Sequence, residues 1–177
     1  MKRRTAIRNI AIITAGAVFL PACNNTDTVA IPLKKIVVSA KEQDMLAQLA
    51  EAILPKTKNF IGAKDLKSHE FLLTMIDDCT SPEDQKKFTD GLKVFDKLCH
   101  DKFGQIFTGF TAEQKKSLLS DIEKKNNVPE DAANFYKTVK RYTLQSFTLS
   151  KQYMVDVRKY NMVPGSNFKG CVKIQAV

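Results

Sequence analysis

Ser39-Ala-Lys-Glu-Gln-Asp-Met-Leu-Ala-Gln-Leu-Ala-Glu-Ala-Ile-Leu-Pro55 decides the fold class of this chain. Ser39 and Glu42 form a capping box, in which the serine hydroxyl accepts from the backbone near Glu42 and the glutamate reaches back to the serine amide. Behind it, Met45, Leu46, Leu49, Ala50, Ile53 and Leu54 recur at steps of three and four, the spacing that places them along one face of a helix. Pro55 stops the helix, because it has no amide to donate and its ring collides with the preceding turn.

The same grammar repeats downstream. After a turn at Gly62, Leu66 to Cys79 carries Phe71, Leu72, Met75, Ile76 and Cys79 on one side. Ser81-Pro82 supplies an N-cap and then a proline at the first helical position, where its missing amide costs nothing. Phe88, Leu92, Phe95, Cys99 and Phe103 follow at helical steps, giving an aromatic-rich stripe read as core. Thr111 and Gln114 form a second capping box, ahead of Leu118, Leu119 and Ile122, and Asn126-Asn127 ends that helix. Pro129 starts a longer helix with Phe135, Val139 and Tyr142 on one face, reaching roughly Phe147. Ser150 caps a last short turn from Tyr153 to Val157. No segment alternates in the way a sheet requires, although Val172 and Ile174 fit a short strand. The expectation is an all-α chain, a single compact domain of five to six helices.

The chain ahead of Ser39 reads as an address. Met1-Lys-Arg-Arg-Thr-Ala-Ile-Arg8 is basic, and Ile10 to Leu20 is an uncharged apolar run. As a helix that run spans about 16 Å, short of the roughly 30 Å hydrocarbon layer, so it is the core of a signal peptide. Arg3-Arg4 resembles the twin-arginine export motif, with Ala6 where a phenylalanine is usual. Leu20-Pro-Ala-Cys23 resembles a bacterial lipobox, with Cys23 as the acylated residue. Residues 1–22 are therefore read as signal peptide, 23–38 as a lipidated tether with a patternless polar stretch from Asn24 to Pro32, and 39–177 as the helical domain. The expected location is the periplasmic side, anchored to the membrane by lipid.

Removing that address changes the charge. Lys2, Arg3, Arg4 and Arg8 fall within it, so 28 basic residues become 24 against 19 acidic ones, and the net charge drops from +9 to +5. Nucleic-acid binding loses its compositional support, and the pairs Lys86-Lys87, Lys115-Lys116 and Lys124-Lys125 read as solvated helix faces. No nucleic acid is expected as a partner.

Reactive groups are sparse. His69 and His100 belong to no metal-ligand pattern, and Cys99-His100 lacks the earlier cysteine of a haem-attachment motif because position 96 is Asp96. Asp77, Asp78 and Asp84 cluster at a helix junction, where capping and solvation outweigh acid–base work. No Gly-rich phosphate loop and no nucleophile–base set is present, so neither catalytic, metal nor cofactor-binding residues are assigned to this chain. With Cys23 acylated, Cys79, Cys99 and Cys171 remain. One internal pair with a free thiol, a bridge to another protein, and three buried thiols are all open. Cys79 and Cys99 would lie roughly 25 Å apart along a continuous helix, which disfavours their pairing.

Taken together, Ala50-Glu-Ala-Ile-Leu-Pro-Lys-Thr57, Gly62-Ala63, Phe71, Asp78-Cys79, Asp84-Gln85, Phe88 and Gly91-Leu92 resemble the N-terminal half of the gluconate 2-dehydrogenase subunit 3 family. Phe135-Tyr-Lys, Tyr142-Thr143, Ser150, Tyr160, Pro164-Gly165 and Gly170-Cys171 resemble its C-terminal half. The chain departs from the family pattern at Phe60-Ile61-Gly62-Ala63, where Pro-Gly-Ala is usual, and at Ser146-Phe-Thr-Leu-Ser150, where Gly-Tyr-Phe-Thr-Ser is usual. The resemblance implies a small helical subunit that helps fold, export and hold a large FAD-dependent flavoprotein of the glucose-methanol-choline (GMC) type, often beside a cytochrome c. FAD would then reside in the partner and not in this chain. An aperiodic tail with aromatics needs a surface to order it, so Tyr153, Tyr160, Pro164, Gly165, Phe168 and Cys171 are the candidate partner interface, the alternative being a tail packed on its own bundle. The competing expectation is a stand-alone helical envelope lipoprotein that acts as a binding or structural module.

Overall fold

The computed structural model describes residues 31–160. Arg3, Arg4, Cys23, Pro164, Gly165, Phe168 and Cys171, and the strand expected at Val172 and Ile174, lie outside the described residues.

Five α-helices follow one another: α1 (Ala40–Ile53), α2 (Ser68–Cys79), α3 (Pro82–Phe103), α4 (Ala112–Glu123) and α5 (Glu130–Thr148). A 3-10 turn at Phe107–Gly109 links α3 to α4, and a π-helical turn at Tyr153–Val157 follows α5. Among the described residues there is no strand, and the all-α expectation holds. No described helix is long and apolar enough to cross a membrane.

The helix starts obey the local chemistry. In α1 the Ser39 hydroxyl accepts from the Glu42 amide at 3.3 Å and the Glu42 carboxylate accepts from the Ser39 amide at 2.7 Å. Thr111 and Gln114 make the same reciprocal pair at α4, at 3.3 and 2.9 Å. At α3, Ser81 caps Asp84 and Pro82 occupies the first turn, and the helix ends at Gly104, whose φ of 68° is the left-handed conformation a glycine adopts without strain. Helix α2 starts two residues later than its periodicity suggests, because Lys67 turns into the left-handed region with φ 53°. Gly62 is demanded by the turn before it. A Cβ there would stand 2.6 Å from the Glu51 carboxylate and 2.7 Å from the Lys56 nitrogen. That carboxylate accepts the Lys56 and Lys64 amides, fastening the loop back onto α1.

Helix α5 is the centre of the bundle and touches α1, α2, α3 and α4. It lies so near α3 that a Cβ on Gly91 would sit 2.9 Å from the Phe135 Cβ and 3.0 Å from the Asp131 carbonyl oxygen. The aromatic stripe fills the space below. Phe135 packs against both Phe88 and Phe95 with ring centres 5.3 Å apart, Phe95 meets Phe107, and Phe107 and Phe103 both meet Phe110. Offset and tilted rings of this kind set the negative face of one against the positive edge of another.

Two side chains fall differently from their spacing. Leu73 is buried, although it stands outside the stripe read from Phe71 to Cys79, and Cys79 is exposed. Cys79 is the last residue of α2, beyond the packed turns. Its exposure removes the option of three buried thiols. Cys99 is buried and free, and burial, followed by the charge of Asp96, pushes its thiol up to about 12. An uncharged thiol of this kind is a packing group rather than a nucleophile.

Before α1, part of the stretch assigned to the tether is fastened to the domain. Asp77, buried near the end of α2, accepts the amides of Lys34 at 2.8 Å, Lys35 at 2.7 Å and Ile36 at 2.9 Å. Gln43 accepts the Ile31 amide and donates to the Val38 carbonyl. Ile36 and Val38 enter the core while Val37 between them faces water, the two-residue period of an extended segment. The Lys34 amide first, with those of Lys35 and Ile36, holds the Asp77 carboxyl below the usual carboxylate range against the opposing effect of burial.

Candidate functional site

The candidate site lies at the end of α5 and the segment that follows it. Helix α5 buries Phe135, Val139 and Tyr142. Leu144 is two residues past Tyr142, about 200° around the helix from it, and is consequently exposed. The helix closes at Leu149, which is 62% exposed. Ser150 then accepts the Tyr153 amide at 3.2 Å, as its position in sequence implied, and the chain winds through the π-helical turn. Lys159 enters the left-handed region with φ 51°, and the Tyr160 amide donates back to the Met154 carbonyl at 2.9 Å.

A second element holds this segment in place. The loop after α1 comes alongside, with the Ile61 amide donating to the Gln152 side-chain oxygen at 3.0 Å and the Gln152 nitrogen donating to the Asn59 carbonyl at 2.8 Å. Phe147 sits between Phe60 and Tyr153, with ring centres 5.9 and 5.3 Å away, both edge-on. Ser68 and Ser146 share a hydrogen bond of 2.6 Å that ties α2 to the same end. The two places where the chain departs from the family pattern, Phe60-Ile61 and Ser146 to Leu149, therefore meet in space.

The result is an ordered surface that is apolar where water would favour polar groups. Eight large apolar side chains are exposed among the described residues, and six of them are at this end: Phe60, Leu144, Leu149, Val155, Val157 and Tyr160. Apolar groups concentrated in this way mark interaction surfaces, whereas scattered ones are ordinary. Of the interface residues expected from sequence, Tyr160 is exposed here and Tyr153 is half-buried against Phe147. Sequence reasoning missed Phe60, Leu144, Leu149, Val155 and Val157. Only Leu144 carried a local signal, because it lies off the buried face of its helix; Leu149 is in register with Tyr142 and is exposed because the helix closes there.

The acidic cluster at the α2–α3 junction is occupied with structural work. Asp77 takes the three strap amides, and Asp84 accepts from the Ser81 hydroxyl at 2.9 Å while its own amide donates to that oxygen. Among the described residues no group of three or more His, Cys, Asp and Glu side chains is placed to hold a metal ion. Glu123 accepts from Tyr136 and Lys140, the lysine first among the causes that draw its carboxyl down, while burial followed by this hydrogen bond pushes the Tyr136 phenol up.

No curated protein and no solved structure matches the chain. The family model described as gluconate 2-dehydrogenase subunit 3 matches residues 40–165, from the first residue of α1 into the tail beyond Tyr160. Spanning all five helices and the apolar end, that match shows that this chain belongs to the gluconate 2-dehydrogenase subunit 3 family, a family of dehydrogenase-complex subunits.

Proposed function

We propose that this chain is the non-catalytic small subunit of an exported FAD-dependent dehydrogenase of the GMC type, acting on a sugar, an alcohol or gluconate. It assists folding of the flavoprotein, carries it through the twin-arginine route by Arg3-Arg4, and holds it at the periplasmic face of a membrane by the lipid on Cys23. The flavoprotein holds FAD, and a cytochrome c takes the electrons. The observation that carries this reading is the family match over residues 40–165. Leu149, Val155, Val157 and Tyr160 add support, since an ordered apolar end suits a chain that works in a complex.

The twin-arginine route gives the signal a second use. Because it carries folded cargo, a partner without a signal of its own would cross only in complex with this chain. Deleting residues 1–22 is then expected to strand the flavoprotein in the cytoplasm, and continued export of the flavoprotein would sink this part of the proposal. A C-terminal affinity tag on the full chain is expected to retain a polypeptide with the two-banded absorbance of oxidised flavin. A flavin-free eluate would favour the stand-alone envelope lipoprotein instead.

A further inference from the structure

Between the first turns of α3 and the middle of α5 runs an open groove of about 360 Å³. Its floor is apolar, with Phe88 and Phe135 side by side, and its rim is cationic, with Lys87 on α3 facing Lys137 and Arg141 on α5.

The charges on α5 are the informative part. Lys137 and Arg141 are four residues apart, both are exposed, and neither has an ion pair among the described residues. Like charges at that spacing repel each other and weaken the helix unless something pairs with them. Lys140 on the same turn is neutralised by Glu123, so α5 has one satisfied cation and two that are not. Lys87 is paired with Glu83 on its own helix at 2.9 Å, and Asp84 is the one carboxylate lining the groove. The Arg141 guanidinium stands over the Tyr142 ring, 4.5 Å from its centre. Stacking of this sort holds the planar fork in place, so that little freedom is lost when it takes a carboxylate.

The cations of the groove lead along α5 toward the apolar end. Lys137, Arg141, Leu144 and Thr148 are all exposed at steps of four, three and four, which makes them one stripe along α5 that ends beside Leu149. A single partner lying on the apolar end thus reaches the cations without bending. An apolar centre with a charged flank is the anatomy of a protein interface, and the flank sets partner choice and the rate of encounter.

We infer that the Lys137–Arg141 groove receives an acidic segment of the dehydrogenase's large subunit, whose carboxylates pair with Arg141 and Lys137. This rests on the proposed function, and one experiment separates the two. The full chain with a C-terminal tag is purified from the membranes of cells that also make the flavoprotein, and flavin absorbance of the eluate is read per mole of tagged chain. Lys137→Glu/Arg141→Glu is expected to lower it on the order of tenfold, Lys137→Gln/Arg141→Gln by less, and the control Lys97→Glu/Lys116→Glu not at all. Both groove variants alter exposed side chains and are expected to melt with the wild type. Flavin retention by the charge-reversed groove equal to that of the wild type would overturn the inference and leave the proposed function standing. A wild-type chain that retains no flavin overturns both. Loss of binding to phosphatidylglycerol vesicles in the charge-reversed variant, with flavin retention unchanged, would also overturn it by making the occupant a lipid surface.

Discussion

The two ends of this bundle treat apolar side chains in opposite ways. At the N-terminal side, the strap from Ile31 to Val38 places Ile36 and Val38 in the core at 6% and 8% exposure, and Asp77 and Gln43 answer its backbone amides. At the far end, Leu149 and Tyr160 are 62% and 55% exposed, although the segment that carries them is fixed by Gln152, Ser150 and Phe147. The first end is completed by the chain itself. The second is held by hydrogen bonds and ring contacts, yet among the described residues its apolar side chains stay exposed, which is how a surface suited to another molecule differs from a frayed terminus.

Identical substitutions in the covered core and at the exposed end test this contrast most directly. Leu49→Ala, in the fully buried face of α1, is expected to cost about 2–5 kcal/mol in denaturant unfolding, through lost burial and the cavity left behind. A cost near zero would mean that the covered core is looser than its packing implies. Asp77→Asn comes next. It removes the charge that the strap amides converge on and turns an amide donor toward at least one of them, so the melting temperature is expected to fall and a protease to cut between residues 31 and 38. An Asp77→Asn chain as resistant as the wild type would show that Ile36 and Val38 hold the strap without it.

Acid applies the same question reversibly. The Asp77 carboxyl is depressed in the folded state, so its stabilisation is present in full above the unfolded carboxylate value of about 4 and is lost as pH falls through the lower folded value. The difference in melting temperature between wild type and Asp77→Asn should therefore be constant near neutrality and shrink below about pH 4. A difference that does not change with pH would remove the charge from the account. Smaller again is Ser39→Ala, which breaks the capping box where the strap enters α1 and is expected to cost about 1 kcal/mol. The smallest effect belongs to the far end. Leu149→Ala is expected to change stability by less than about 0.5 kcal/mol, measured by the same denaturant titration as Leu49→Ala, because the side chain has little packing to lose.

How much of this was legible in the sequence depends on the range of each interaction. Ser39 with Glu42, Ser81 with Pro82, and Thr111 with Gln114 act across three residues or fewer, and each helix they announce begins where they stand. The aromatic stripe of α3 was legible for the same reason, since period alone puts Phe88, Phe95 and Phe103 on one side. The candidate site was legible only in part. Tyr160 was named, and Phe60 was not, because its relation to Phe147 spans 87 residues of sequence and leaves no local trace.

The sequence by itself determined the helices, their caps and the membership of the core stripes, because hydrogen bonding and amphipathic spacing are settled within a turn or two. Tertiary structure alone decided that Asp77 meets a strap more than forty residues away, that Cys79 ends outside the packed turns, and that α5 sets Lys137 and Arg141 opposite Lys87. Those outcomes depend on which helix ends are brought together and how far each helix extends past its neighbours. Both are set by packing across the whole bundle and by no single segment of it.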